Sequence, residues 1–260
     1  MPLPVRTFAP SQGPDTAPPL VCLHGFLGTK DDWSDLAARL PHRRVVALDL
    51  PGHGDALALP DEAYGFEAAV EAVAATLDAL GIARCDLLGY SMGGRVSLAV
   101  ALAHPNIIHT LTVESASPGL PSETDRAERR ALDADRASAL LADLPGFLRD
   151  WYALPLFATL SASQCVDMIG ERARGDAQEL ACGLVGMGTG AMSDLWPRLH
   201  TLTRPVRLVV GAQDAKFVRV ARQMAARLPD AAVHVVEGAG HNVHVERPEA
   251  FAALLREPGA

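Results

Sequence analysis

The middle of the chain reads Cys85-Asp86-Leu87-Leu88-Gly89-Tyr90-Ser91-Met92-Gly93-Gly94-Arg95-Val96, and this stretch decides the fold. The apolar run at 85–90 has strand character. Val96, Ala99, Val100 and Ala103 then recur at helical spacing before Pro105. Gly-x-Ser-x-Gly between a strand and a helix is a nucleophile elbow. The glycines flank Ser91 because so tight a turn strains the backbone and leaves no room for side chains. The turn lifts the Ser91 hydroxyl out of the sheet, above the positive end of the following helix. A Gly-rich turn without function shows the same five-residue pattern, and it is the strand before and the helix after that separate the two readings.

Moving outward, short apolar runs at 20–23, 44–48, 107–113, 206–210 and 232–236 alternate with helix-period segments. Trp33, Leu36, Ala37 and Leu40 fall on one helical face, as do Phe66, Val70, Val73, Leu77 and Leu80 ahead of Gly81. Phe217, Ala221, Met224 and Leu228 do so ahead of Pro229. Strands alternating with helices predict an α/β chain whose mostly parallel sheet is covered on both faces. Together with the elbow, this is the α/β-hydrolase fold. Residues 115–200 break the rhythm, with no strand-like run and a dense charged helix pattern at 125–144. An insertion that long needs secondary structure of its own. We therefore expect a core of residues 1–114 and 201–260, with residues 115–200 forming a helical lid inserted between two strands. The Pro-rich stretch at 14–19 reads as a turn joining early strands.

The 260 residues suit one large domain, and 49% hydrophobic with 21% charged residues describes a globular chain. A net charge of −8 argues against a nucleic-acid surface, which needs a basic stripe. No apolar run is long enough to span a bilayer and no secretory leader is evident, so the expected location is cytoplasmic, away from the membrane. Four cysteines, Cys22, Cys85, Cys165 and Cys182, show neither C-x-x-C nor metal-ligand spacing. Cys22 and Cys85 sit in strand-like runs and read as small hydrophobes. The Gly-rich runs at 25–28 and 186–190 lack the dinucleotide-binding pattern, so no metal and no cofactor is expected.

A serine hydroxyl needs a histidine held by a carboxylate before it acts as nucleophile or base. Of nine histidines, His241 stands in the loop after the last strand, at the same sheet end as Ser91. His244 is its neighbour and rival. Asp214 follows the run at 206–210, giving the chain order Ser, Asp, His that this fold uses. Glu114, ending the preceding strand, is the competing acid. An oxyanion also needs backbone donors. The turn Leu23-His24-Gly25-Phe26-Leu27-Gly28 and the elbow point to the amides of Phe26 and Met92. His53, in a second tight turn at the same end, reads as structural.

Arg95 lies one turn into the helix beneath Ser91, on an otherwise apolar surface. Its fork suits a carboxylate, and a buried structural ion pair is the alternative. The longer segments 89–96, 114–120, 151–158, 188–190, 214–217 and 238–244 resemble one family, the menaquinone-pathway 2-succinyl-6-hydroxy-2,4-cyclohexadiene-1-carboxylate synthases. The resemblance runs from Leu20 to Phe251. The elbow and His loop are shared with many α/β-hydrolases, whereas Arg95, Trp151-Tyr152-Ala153-Leu154-Pro155-Leu156-Phe157 and Asp214-Ala215-Lys216-Phe217 are more selective.

That resemblance implies a lyase that eliminates pyruvate from a small anionic substrate bearing three carboxylates, with Ser91 as base. It further implies substrate contacts from Tyr90, Arg95, Arg129, Trp151 and Lys216. Arg126 and Arg130 lie beside Arg129, a lid-core role is open to Trp151, and a surface role is open to Lys216. The charges Glu128, Asp133 and Asp135 read as a solvated helix face. Segment 161–184 has no readable counterpart, so no contacts are assigned there. A serine hydrolase of the same fold, cleaving esters or carbon–carbon bonds, is the alternative activity, and a non-catalytic ligand-binding protein is a third reading. The expected assembly is a monomer or small homo-oligomer.

Overall fold

Residues LVCL at 20–23 and VVAL at 45–48 are apolar without alternation and buried throughout, which requires cover on both faces of the sheet. The computed structural model, which describes residues 1–13 and 17–256, meets that requirement. Its strands are β1 (Val5–Phe8), β2 (Leu20–Leu23), β3 (Val45–Leu48), β4 (Cys85–Tyr90), β5 (Ile108–Glu114), β6 (Val206–Gly211) and β7 (Ala231–Val236). They form one seven-stranded sheet in the order β1-β3-β2-β4-β5-β6-β7. All pairs are parallel except β1 with β3.

The helices are α1 (Ser34–Ala38), α2 (Phe66–Ala79), α3 (Met92–Ala103), α4 (Glu123–Ala142), α5 (Leu144–Tyr152), α6 (Ala162–Arg172), α7 (Ala177–Met187), α8 (Ala215–Ala225), α9 (Val243–Glu246) and α10 (Pro248–Arg256). Helices α2, α3 and α8 pack Val73, Leu77, Leu98 and Met224 against one sheet face. Trp33, Leu36 and Phe251 cover the other. Each such fully buried side chain stabilises the fold by roughly 1.5–3 kcal/mol of desolvation. Helix α2 ends at Leu80, and Gly81 follows at φ 65°, the left-handed stop its sequence predicts.

The α/β-hydrolase architecture is present, with helices α4 to α7 between β5 and β6. These helices carry a small core of their own around Leu140, Phe147, Leu148 and Leu184. The far boundary differs from the sequence expectation. Met187, Met192, Leu195 and Leu199 join the main core, so the separately packed part ends near Met187 rather than at residue 200. Strand β1 is absent from the sequence reading. It is a four-residue edge strand, half of it exposed, and an edge needs no apolar run. The turn expected at 14–19 falls partly on residues 14–16, which lie outside the described residues. Among the described residues, no helix is long and apolar enough to cross a membrane. Cys22 and Cys85 are buried free thiols, and burial pushes the Cys85 thiol up to about 12.

Candidate active site

Ser91 sits between β4 and α3 with φ 51° and ψ −106°, a backbone region that costs a non-glycine residue about 1–3 kcal/mol. The Ser91 amide donates to the Glu114 carbonyl at 2.9 Å, and the Gly93 amide donates to the His24 carbonyl at 3.0 Å. Glycine is obligatory beside it. A Cβ on Gly93 would lie 2.3 Å from the Leu23 carbonyl oxygen, and one on Gly89 would lie 2.2 Å from that of Gly93.

The acid and the imidazole come from the ends of the next strands. Asp214 follows β6 and caps α8, its Oδ1 accepting the Phe217 amide at 3.2 Å. Its Oδ2 stands 2.8 Å from His241 Nδ1, and His241 Nε2 stands 3.2 Å from Ser91 Oγ. The imidazole is 2% exposed and packed against Phe217 and Tyr90 at centroid distances of 4.8 and 5.5 Å. Glu246, which the sequence did not single out, shapes the loop. Its carboxylate accepts the amides of Gly240 at 2.8 Å and Asn242 at 3.0 Å, on either side of His241.

The two rivals pair with each other. Buried Glu114 lies 2.8 Å from His244 Nδ1. Burial alone would lower the His244 pKa, but the Glu114 charge and hydrogen bond outweigh it, and the net direction is up. His53 is buried with Nδ1 2.9 Å from the Pro51 carbonyl. Burial and neighbouring His24 push its pKa down to about 3, so it stays neutral.

Two cavities meet at Ser91, sharing it with Phe26, Trp151 and His241. The first, of about 820 Å³, is lined by Arg95, Arg129, Arg136, Lys216 and Arg227, and no carboxylate is among the described residues that line it. Phe26 and Met92 line it too, Met92 as the first residue of α3, where helix amides lack intrahelical partners. The second, of about 890 Å³, is lined by seven carboxylates, Asp32 and Asp176 among them, against Lys30, Arg172 and Arg174. Eight of the sequence-predicted residues thus line the first cavity, and Asp214 reaches it only through His241. Tyr90 lines the second cavity alone, its ring 4.9 Å from that of His244.

Arg95 makes no carboxylate ion pair among the described residues. Its Nη2 donates to the Met187 carbonyl at 2.9 Å, and its buried Nε has no partner. Burial and the nearby charge of Arg129, opposed by Asp133, push its pKa down to about 10. A guanidinium so placed is short of an anion. Arg129 donates through Nε to both oxygens of Asp133 at 2.9 Å. Asp133 is itself buried, which corrects its reading as part of a solvated face. The helix turns it inward because Arg129 and Arg136 hold it there.

Trp151 lies between Phe26 and Phe147, at 5.3 and 5.6 Å. Exposed Lys216 places its ammonium 5.3 Å from the Phe217 ring. Arg172, in the segment without a readable counterpart, was missed. It is buried in a fork with Asp32, both nitrogens at 2.7 Å. Among the described residues, no three metal-ligating side chains cluster.

The family described as alpha/beta hydrolase fold matches residues 18–248. A protein of Serratia proteamaculans (strain 568) named 2-succinyl-6-hydroxy-2,4-cyclohexadiene-1-carboxylate synthase is 36% identical, over 94% of this chain and 94% of its own. The protein of the same name from Salmonella heidelberg (strain SL476) is 35% identical, over 94% of this chain and 96% of its own. Among solved structures, that of MenH from S. aureus superposes with a TM-score of 0.91 at 32% identity, covering 96% of each chain. An esterase from Exiguobacterium antarcticum superposes with a TM-score of 0.81 at 19% identity, covering 96% of this chain and 92% of its own. That second likeness speaks for the fold alone.

Proposed function

We propose a mechanism from one premise: the chain belongs to the alpha/beta hydrolase fold family and, within it, to the 2-succinyl-6-hydroxy-2,4-cyclohexadiene-1-carboxylate synthases. It is a lyase of menaquinone synthesis. It eliminates pyruvate from 2-succinyl-5-enolpyruvyl-6-hydroxy-3-cyclohexene-1-carboxylate.

In our reading Ser91 is the base. His241 Nε2, 3.2 Å from Ser91 Oγ, takes the hydroxyl proton, and Asp214 steadies the imidazolium through the 2.8 Å contact. The alkoxide removes a ring proton. Its electron pair moves through the ring toward the succinyl carbonyl, whose developing charge the amides of Phe26 and Met92 receive. The charge then returns, the bond to the enolpyruvyl oxygen breaks, and His241 returns its proton to the departing group, which leaves as pyruvate. No water attacks and no acyl-enzyme forms. Arg95, Arg129 and Lys216 neutralise the substrate carboxylates, Trp151 covers the ring, and Tyr90 orients the nucleophile loop from the side of the second cavity. Helices α4 to α7 act as the lid over this site.

The observation that carries this reading is the cavity at Ser91, ringed by cations without a lining carboxylate, in a chain of net charge −8. Fixed charge of one sign in a recessed site concentrates ligands of the other. The test is pyruvate release from the enolpyruvyl substrate, run beside hydrolysis of a p-nitrophenyl ester. We expect fast pyruvate release, its loss by several orders of magnitude in Ser91→Ala, and weak ester turnover. Fast ester turnover without pyruvate favours the serine hydrolase. Retained elimination in Ser91→Ala removes the serine from the mechanism.

A further inference from the structure

Arg136 lies on α4 two turns after Arg129 and lines the same cavity as Ser91. Two contacts place it. Its guanidinium carbon stands 5.4 Å over the Trp151 ring, which is held in turn by Phe147 and Phe26. Its Nη1 reaches Asp133 Oδ1 at 3.4 Å, and among the described residues that is its one hydrogen bond. Arg129, by comparison, holds the same carboxylate at 2.9 Å through two contacts. Asp133 is 2% exposed, so a single buried carboxylate serves two arginines. Gly188 makes room for it, since a Cβ there would lie 2.5 Å from Asp133 Oδ2.

Charge around this carboxylate does not balance. Arg95, Arg129 and Arg136 all line the cavity, and among the described residues Asp133 is the carboxylate that pairs with any of them. Arg95 has a buried Nε without a partner, and Arg129 and Arg136, whose side chains are 30% and 26% exposed, add to the same positive surplus along the cavity wall, a charge that draws in ligands of the opposite sign. We propose that Arg136 is a further carboxylate-binding residue of this site, held toward the ligand by Asp133 and the face of Trp151. The assignment rests on the lyase reading, because it gives a partner to one of the substrate's three carboxylates. A guanidinium over an indole face keeps its edge N–H donors free, and those donors suit a planar carboxylate. The long Asp133 contact is the one that yields when the ligand arrives.

The test measures pyruvate release in wild type, Arg136→Met, Arg136→Lys and, as a control, Arg149→Met from the exposed side of α5. Arg136→Met should raise KM at least tenfold with a smaller change in kcat. Arg136→Lys should recover part of that loss, and the control should match wild type. Calorimetric titration of the enolpyruvyl substrate into Ser91→Ala and into Ser91→Ala/Arg136→Met should read the same contact as an affinity loss of tenfold or more. Unchanged KM and affinity in a folded Arg136→Met overturn the assignment. If the wild type releases no pyruvate, it is the lyase reading that fails, and the pair of titrations still decides Arg136.

Discussion

Replacing Asp214 with asparagine separates the acid's chemical role from its structural one. Asp214 does two things: Oδ2 meets His241 Nδ1 at 2.8 Å, and Oδ1 caps α8 by accepting the Phe217 amide. Asparagine caps a helix about as well as aspartate, so the second role survives. The first does not. A neutral amide can hold His241 in the wrong tautomer and no longer stabilises the imidazolium, a loss of about 10⁴ in kcat where the same exchange breaks a comparable triad. That is about 5 kcal/mol of barrier. We expect Asp214→Asn to lose pyruvate release on that scale while its melting temperature moves by no more than ~2–4 °C, the shift for ~1 kcal/mol in a chain of this size. Glu114→Gln should behave in the opposite way. It breaks the pair that buried Glu114 makes with His244, whose side chain is 8% exposed, costing up to roughly 3–5 kcal/mol of stability, yet leaves the His241 contacts in place. Rates and melting curves on both variants decide the matter. A folded Asp214→Asn within tenfold of wild type, or a Glu114→Gln that keeps its stability but loses turnover, would refute the assignment of the acid.

Arg95→Ala should weaken kcat/KM by several kcal/mol, since a charge-assisted contact to substrate is lost; unchanged steady-state kinetics would make the Met187 contact its whole purpose. Stability should fall with acid on account of His53. Its folded pKa near 3 lies below an unfolded value near 6.5. Its contribution is therefore complete above pH 6.5 and declines below it by up to ~1.4 kcal/mol per pH unit. Denaturant melts between pH 7 and pH 4 should show this acid limb, and a folded His53→Gln should flatten it.

The elbow was legible because strand-to-helix turns are written locally. Gly89 and Gly93 are forced by approaches of 2.2–2.3 Å, so the glycines betray the geometry. Strands β2 and β3 were legible for a related reason: buried on both faces, they carry unbroken apolar runs. Strand β1 was not, being short and half-exposed. Asp133 was misread because its helical spacing to Arg129 and Arg136 looks the same on a buried face as on a solvated one, and Arg172 was missed because an ion pair across the fold leaves no local trace. Arg172 meets Asp32 across 140 positions of chain, and nothing near either residue announces the other. Glu246 was hidden for another reason: the Gly240 and Asn242 amides are near it in the chain, but its carboxylate meets them only once α9 has turned back on the loop.

The groups to which we assign proton transfer all rise from the sheet, Ser91 after β4, Asp214 after β6 and His241 after β7. The cations around them have two origins. Arg95 and Lys216 belong to helices packed on the sheet, whereas Arg129 and Arg136 arrive on α4. What the molecule does to a bond and which molecules it admits are thus written in separable parts of one polypeptide. A change confined to α4 would alter the cations that meet a ligand while leaving the strained turn at Ser91 as it stands.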